Sequence, residues 1–558
     1  MKIYPCVLMT AVTFLGACQQ ATSRQPGPDL TAALARAQQG RPLRYVAIGG
    51  SITQAGRGWI GDWLHEQFPQ STVLVTNSGM SATGSGLGVF RVARDVIACQ
   101  PDLVAIEYAV NDGDQTDESA IHNVESLVVR LKSLPQPPAI ILLEVAQRGG
   151  VNQARHHKVA QHYGLIEVDL QRAADDYLRK TGQPWETLFT DDVHCNDAGN
   201  AFYTQTIAAQ LQTWVNLVKA RKFIPQDLET PPVSKLPAPL STKPLLLDGR
   251  LTTLTEVPGW KKAPSPANWW GMFFQGVITA TDPGATYVLP FRGTTVGLFY
   301  DLDASYGSFY ASIDGGLPVQ VMTNLRSGYD YTVLARDLPA REHLLTIVLP
   351  APEPAAAAPV KINGPVKFGY ALFAGATMAS REPSPQGKYS AAVLRELSFT
   401  PITAREWSWL GPYPVTSTEA SNIHLKFPNK IPGATSHPTE APPTASSLDW
   451  YPLTGTDALI DFWQITGSKQ SSVTYAQAPI QRTAAGKALL RFSVDYFAKI
   501  WINGELVATF DHSHGGSVAP NLIPVYLRQG ANTIVVKTAA GSRGHNFSLA
   551  ISKENQVP

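Results

Sequence analysis

The chain has 558 residues, with 45 basic against 44 acidic side chains and a formal net charge of +1. That length exceeds the usual size of a single domain and points to two to four. The charges are scattered rather than run together, so the chain carries no electrostatic footprint for nucleic acid, and no nucleic-acid partner is expected.

At the N-terminus, Lys2 precedes a mostly apolar stretch, residues 3–14, and then Leu15-Gly16-Ala17-Cys18. This arrangement resembles the lipobox of a bacterial lipoprotein. The resemblance implies cleavage before Cys18 and acylation of its sulfur, so residues 1–18 are a signal peptide outside the fold and 19–40 a tether. A membrane partner, reached through the lipid anchor in the bacterial cell envelope, is therefore expected. Gln19 in place of an aspartate favours the outer membrane. An ordinary secretory signal with an incidental cysteine is the alternative. No other stretch approaches the ~20 apolar residues needed to span a bilayer.

Residues 41–222 alternate apolar runs with helical spacing, the pattern of a doubly wound α/β domain. Strands are predicted at 44–48, 72–76, 103–108, 139–145 and 165–170. Helices are predicted around Val124, Leu127, Val128 and Leu131 and over 198–218. Cys99 precedes the third strand and Cys195 follows His194 at the other end of the sheet. A six-residue strand separates such ends by roughly 20 Å, beyond the ~7 Å limit between disulfide Cα atoms. Two free, mostly buried thiols are expected, and no CxxC or HxxxH spacing near them suggests a metal.

Six prolines, from Pro225 to Pro244, mark a linker or surface strap over 223–244. Beyond it the period becomes strand-like. Runs at 294–302, 307–313 and 343–349, with turn signals such as Asp314-Gly315-Gly316, predict a β-sandwich over 245–400. Residues 401–447, which contain Gly411-Pro412-Tyr413-Pro414, read as a Pro/Ser/Thr-rich connecting segment. The last segment, 448–558, has runs at 488–494, 498–502, 506–510, 523–527 and 533–537, with Asn503-Gly504 as a hairpin turn. It resembles the jelly-roll, galactose-binding-like modules appended to bacterial carbohydrate-active enzymes, and is expected to be a second β-sandwich.

Four segments stand at or just beyond predicted strand ends or in the loop before the last helix: Gly49-Gly50-Ser51-Ile52-Thr53, Asn77-Ser78-Gly79, Val110-Asn111-Asp112 and Asp191-Asp192-Val193-His194. Open α/β sheets collect ligand groups at those carboxyl ends. The segments hold a hydroxyl, oxyanion donors and a base, the set that ester cleavage needs.

In order and spacing they resemble the blocks of the SGNH, or GDSL-type, serine hydrolase superfamily. The resemblance covers 41–222 and implies a three-layer α/β/α domain with a parallel sheet and no cofactor. It implies Ser51 as nucleophile, with its own N–H, the Gly79 N–H and the Asn111 amide as the oxyanion hole. His194 is implied as the base that returns the proton to the leaving group, and Asp191 as the acid that orients it, with Asp192 as the alternative. Gly50 stands where an acidic residue is usual, and Ala109 where glycine is usual. Neither departure removes a reacting group, and with Glu107-Tyr108-Ala109-Val110-Asn111-Asp112 they resemble a subset of secreted bacterial members associated with polysaccharide deacetylation.

Other polar residues read as structural. Glu107 on a buried strand needs a partner such as Arg91. His156, His157 and His162 read as solvent-facing or capping, Trp59 and Trp63 as core, and Ser81, Thr83 and Ser85 as shaping the loop near Gly79.

Nothing in 41–222 reads as the amphipathic lid of a lipase. The two sandwiches carry Trp260, Trp269, Trp270, Trp407, Trp409, Trp450, Trp463 and Trp501, most of them expected in the core, the rest suited to sugar faces. The leading expectation is an esterase removing O-acetyl groups from acetylated plant-type polysaccharide or oligosaccharide. The domain arrangement resembles xyloglucan-type oligosaccharide acetylesterases. The alternatives are a lipolytic or thioester hydrolase of the same superfamily, and a non-catalytic glycan-binding lipoprotein.

Overall fold

The computed structural model describes residues 28–150, 154–221, 235–351, 363–376, 387–414, 450–510, 521–540 and 544–558. The predicted signal peptide with Cys18, most of the Pro-rich linker and residues 415–449 lie outside them. Two compact units divide the chain: Met1–Gly88 with Asp95–Lys243, and Val89–Arg94 with Pro244–Pro558.

The first unit is built on five parallel strands, β1 (Leu43–Gly49), β2 (Val73–Gly79), β3 (Leu103–Glu107), β4 (Ala139–Glu144) and β5 (Ile166–Asp169), in the order β2-β1-β3-β4-β5. Tyr45 and Ala47 of β1 belong to one core with Leu103, Ala105, Ile141 and Leu143. Alternate residues Val46, Ile48, Val104, Ile106, Ile140 and Leu142 are equally buried on the other face. Strands covered on both faces must be apolar throughout, which is why they read as unbroken runs rather than as alternations.

Between the strands run α1 (Pro28–Gln38), α2 (Ser51–Gly56), α3 (Gly61–Gln67), α4 (Ser85–Asp95), α5 (Asp117–Lys132), α6 (Ala154–Tyr163), α7 (Leu170–Thr181) and α8 (Asp197–Ala220). The three-layer α/β/α architecture expected from the resemblance is present. Within the tether expected over 19–40, α1 is part of the fold instead: Leu30, Ala33, Leu34 and Ala37 are buried in the same core as Tyr203, Ile207 and Leu211 of α8. Its apolar stripe is largely alanine, which gives little contrast in a hydrophobic pattern.

The second unit contains two antiparallel sandwiches. In the first, β6 (Arg250–Thr253), β7 (Lys261–Ala263), β8 (Val277–Ala280), β10 (Thr295–Leu302), β13 (Gly328–Ala335) and β15 (Val366–Ala374) form one sheet, with β10 between β13 and β15, facing a sheet of β9 (Thr286–Arg292), β11 (Ser308–Ile313), β12 (Val319–Met322) and β14 (Glu342–Val348). Trp260, Phe309 and Phe368 fill the space between the two sheets. The second sandwich has β16 (Phe399–Pro401), β19 (Leu459–Asp461), β21 (Gly486–Val494), β24 (Asn521–Leu527) and β26 (Asn546–Ser552) in one sheet. The other holds β17 (Ser408–Pro414), β18 (Tyr451–Pro452), β20 (Ser472–Arg482), β22 (Phe497–Ile502), β23 (Glu505–Phe510) and β25 (Gly530–Ala539). Asn503 and Gly504, with φ of 52° and 87°, make the hairpin between β22 and β23, both left-handed as a two-residue turn between twisted strands requires.

One boundary differs from the sequence reading. The segment read as connecting from residue 401 contains β17, which pairs with β20. Its Pro412 and Pro414 argue locally against a strand. A register shift between Leu410 and Tyr413 absorbs the disturbance.

Candidate active site

Ser51 follows β1 after the single residue Gly50 and is the first residue of α2, so its side chain stands at the carboxyl end of the sheet. His194 and Asp191 arrive on the loop before α8, which Thr190 closes by donating its N–H (2.8 Å) and hydroxyl (3.1 Å) to the His194 carbonyl. Three of the expected residues meet in line: His194 Nε2 lies 2.7 Å from Ser51 Oγ, and His194 Nδ1 lies 2.7 Å from Asp191 Oδ2.

Partial burial opposes ionisation of Asp191. The N–H groups of His194 (2.7 Å) and Val193 (2.8 Å), with the imidazole, outweigh it and hold the carboxyl down to about 2. A carboxylate only accepts hydrogen bonds, so Nδ1 carries the proton and Nε2 of a neutral ring presents its lone pair to the Ser51 hydroxyl. Asp192 is turned elsewhere, toward Arg148.

Asn111 opens the short 3₁₀ turn Asn111–Asp114 beyond β3. Its neighbour Asp112 pins that turn: Oδ1 accepts the Ser85 N–H (2.8 Å) and Gln115 Nε2 (2.6 Å), and Oδ2 lies 3.0 Å from His156 Nε2. A Cβ on Gly50 would collide with Asn111 Oδ1. Gly50, the departure from the usual acidic residue, thus lets the Asn111 amide lie against the strand-to-helix turn. Among the described residues neither the Ser51 N–H nor Asn111 Nδ2 has a protein acceptor, leaving both as candidate oxyanion donors.

Gly79 differs from expectation. Its N–H donates to Asn77 Oδ1 at 2.9 Å, so that amide is committed to a side chain at the end of its own strand. Glycine is required there for another reason: a Cβ would run into the backbone of Thr53 and Gln54 at the start of α2.

Three other expectations change. His156 is buried on Asp112 rather than solvent-facing, while His157 lies 2.7 Å from Glu167 and His162 2.8 Å from the Ala238 carbonyl. Glu107 takes Thr53 and Gly50 as partners rather than Arg91. Cys99 and Cys195 are free but half-buried, and burial pushes the Cys195 thiol up to about 12, so this neighbour of His194 stays a neutral thiol. No group of three or more His, Cys, Asp or Glu among the described residues is placed to hold a metal ion.

Two residues that no motif marks support the loop. Trp185 donates Nε1–H to the Asp191 carbonyl at 2.7 Å and stacks on Phe189 at 3.9 Å. Arg148 lies over the Trp185 ring and pairs with Glu186 and Asp192.

Residues 47–202 match the model of the GDSL-like lipase/acylhydrolase family. Among solved structures, the chain is similar to a two-domain esterase active on acetylated mannans, at 22% identity and a TM-score of 0.52, over 62% of this chain and 95% of that one. It is also similar to an acetylxylan esterase from Geobacillus stearothermophilus, at 23% identity and a TM-score of 0.28, over 30% of this chain and 94% of that one. A GDSL-like lipase described as putative, from Parabacteroides merdae, is 18% identical with a TM-score of 0.28, over 31% of this chain and 96% of that one. No curated protein matches the chain.

Proposed function

We propose, from the match of residues 47–202 to the model of the GDSL-like lipase/acylhydrolase family, that this protein is a carboxylic ester hydrolase that removes O-acetyl groups from plant-type polysaccharide or its oligosaccharides. The observation that carries the reading is the line of two 2.7 Å contacts from Asp191 through His194 to Ser51.

In this reading Ser51 Oγ attacks the acetyl carbonyl while His194 Nε2 takes its proton. The oxygen that becomes negative is met by the Ser51 N–H and Asn111 Nδ2. Asp191 stabilises the imidazolium. Collapse of the tetrahedral intermediate breaks the bond to the sugar oxygen, which leaves with the proton from His194. Water, deprotonated by the same imidazole, then releases acetate and restores Ser51.

The carbohydrate side of the reading is supported by the mannan-active esterase among the solved structures of like fold and by Trp269, which is 54% exposed. Trp270, Phe273 and Tyr329 hold that ring edge-on at 5.8–6.2 Å, leaving it available to a sugar face. Trp260, Trp407 and Trp501 are core residues. Xyloglucan is the substrate that the domain arrangement suggests. The lipobox-like Leu15-Gly16-Ala17-Cys18 supports anchoring by lipid at the envelope.

Two measurements test the proposal. Ser51→Ala should abolish acetate release from an aryl acetate and from acetylated oligosaccharides; near-normal turnover would remove Ser51 as nucleophile. A series of aryl esters from acetyl to octanoyl should show preference for acetyl. Preference for octanoyl would move the protein to the lipolytic reading.

A further inference from the structure

Helix α2, which carries Ser51, is only six residues long and has no side-chain cap of its own, because Gly50 occupies the N-cap position. The first N–H groups of any helix lack partners inside it, and an Asp or Ser cap would ordinarily accept one. Here the acceptor comes from the next strand. β1 and β3 are parallel neighbours with Gly49 opposite Glu107, and the Glu107 carboxyl, fully buried, turns under α2. Its Oε2 accepts the Thr53 hydroxyl at 2.7 Å, the Thr53 N–H at 3.2 Å and the Gly50 N–H at 3.4 Å.

These donors flank Ser51 on both sides. Glu107 engages the N–H groups before and after the nucleophile and leaves the Ser51 N–H unengaged. Gly49 makes room for this, since a Cβ there would strike both Thr53 Oγ1 and Glu107 Oε2. The other carboxyl oxygen, Oε1, is buried without a hydrogen-bond partner. Burying an oxygen without a partner is costly, a cost that a residue serving only to fill space would avoid by being apolar.

We infer that Glu107 is a positioning residue for catalysis: from β3 it fixes the first turn of α2, and thereby where the Ser51 hydroxyl and the Ser51 N–H point. This rests on the reading of Ser51 as the nucleophile. A shift of about 1 Å in a reacting group costs on the order of 10²-fold in rate, whereas substrate contacts are untouched by Glu107.

The test compares Glu107→Leu, Glu107→Gln and Thr53→Val with the unaltered full chain on an aryl acetate, with rates expressed per active site titrated by a phosphonate. Glu107→Leu should lose on the order of 10²-fold in kcat with KM within about twofold. Glu107→Gln, whose side-chain carbonyl can accept the same donors, should recover kcat to within about tenfold of the unaltered protein. Thr53→Val, which removes only the shortest of the three bonds, should lower kcat by about three- to tenfold at unchanged KM. If Glu107→Leu does not fold, the Thr53→Val and Glu107→Gln results decide. The inference is overturned if kcat of Glu107→Leu, or of Thr53→Val where the former is not folded, stays within about twofold of the unaltered protein. It is equally overturned if Glu107→Gln loses as much as Glu107→Leu. Ser51→Ala separates this from the reading beneath it: turnover that survives Ser51→Ala defeats the nucleophile itself, whereas a dead Ser51→Ala beside a normal Glu107→Leu defeats only the role of Glu107.

Discussion

Arg148 and Asp192 are joined twice: the Arg148 N–H donates to the Asp192 carbonyl at 2.8 Å, and its Nε lies 3.1 Å from Asp192 Oδ1. Through that pair the loop after β4 grips the residue next to Asp191. The side-chain pair is solvent-exposed, so water screens it and it contributes little to stability. Its effect is expected in the geometry of Asp191 and His194. Arg148→Ala should therefore leave the melting temperature within a few degrees of the unaltered protein while lowering kcat on an aryl acetate about tenfold. A loss of stability larger than the loss of kcat would make Arg148 a structural residue only.

Removal of the Asn111 amide tests the oxyanion site. In the proposed reaction Asn111→Ala takes away one donor to charge that develops only in the transition state, so kcat should fall roughly 10²–10³-fold with KM little changed. A change confined to KM would assign Asn111 to ground-state binding. Gly79→Ala cannot serve as the parallel test, because the new Cβ would displace α2 whatever the amide does.

The parts of this site that were legible in the sequence are those whose chemistry is local. Asp191 reaches His194 within one turn of chain, and Ser51 stands two residues past the end of its strand, so residue order alone brings them close to their places. Contacts across the sheet were not legible. Glu107 was expected to need a partner, but that the partner is Thr53 follows from β1 lying beside β3, a fact of strand order. His156 is on a helix whose outer face is polar, and nothing local shows that its ring turns inward to Asp112. In the second unit, β20 was missed because Pro479 interrupts it. β17 pairs with β20 only as far as Gln477, so Pro479 stands where no neighbour needs its missing N–H.

Trp269 separates glycan contact from chemistry. If a sugar face packs on this exposed ring, the contact buries apolar surface at roughly 25 cal/mol per Å², so Trp269→Ala should raise KM for acetylated oligosaccharides about two- to tenfold. Hydrolysis of a small aryl acetate, which has no sugar face to stack, should be unchanged. Equal kinetics on both substrates would leave the first sandwich without a part in glycan binding.

Glu107 should also leave a signature in stability against pH. Burial is the largest influence on its carboxyl and raises it from 4.5 to about 7, against the opposing pull of the Thr53 and Gly50 donors and with a smaller upward push from Asp112. Cys195 and Tyr203 also feel its charge. Because the folded state holds the proton more tightly than the unfolded chain, the contribution is complete below pH 4.5 and declines as pH rises toward 7, where both states have lost the proton. At about 1.4 kcal/mol per pH unit, the decline is of order 3 kcal/mol. Glu107→Gln has no proton to lose at this position. The difference in unfolding free energy between the unaltered protein and Glu107→Gln should therefore fall by a few kcal/mol across that window. Urea unfolding followed by helical circular dichroism reads it, since α5, α7 and α8, the longest of the described helices, belong to the unit that holds Glu107. A difference that stays constant from pH 4.5 to 7 would mean that Glu107 ionises as it does in the unfolded chain, and that its buried oxygen has found a partner.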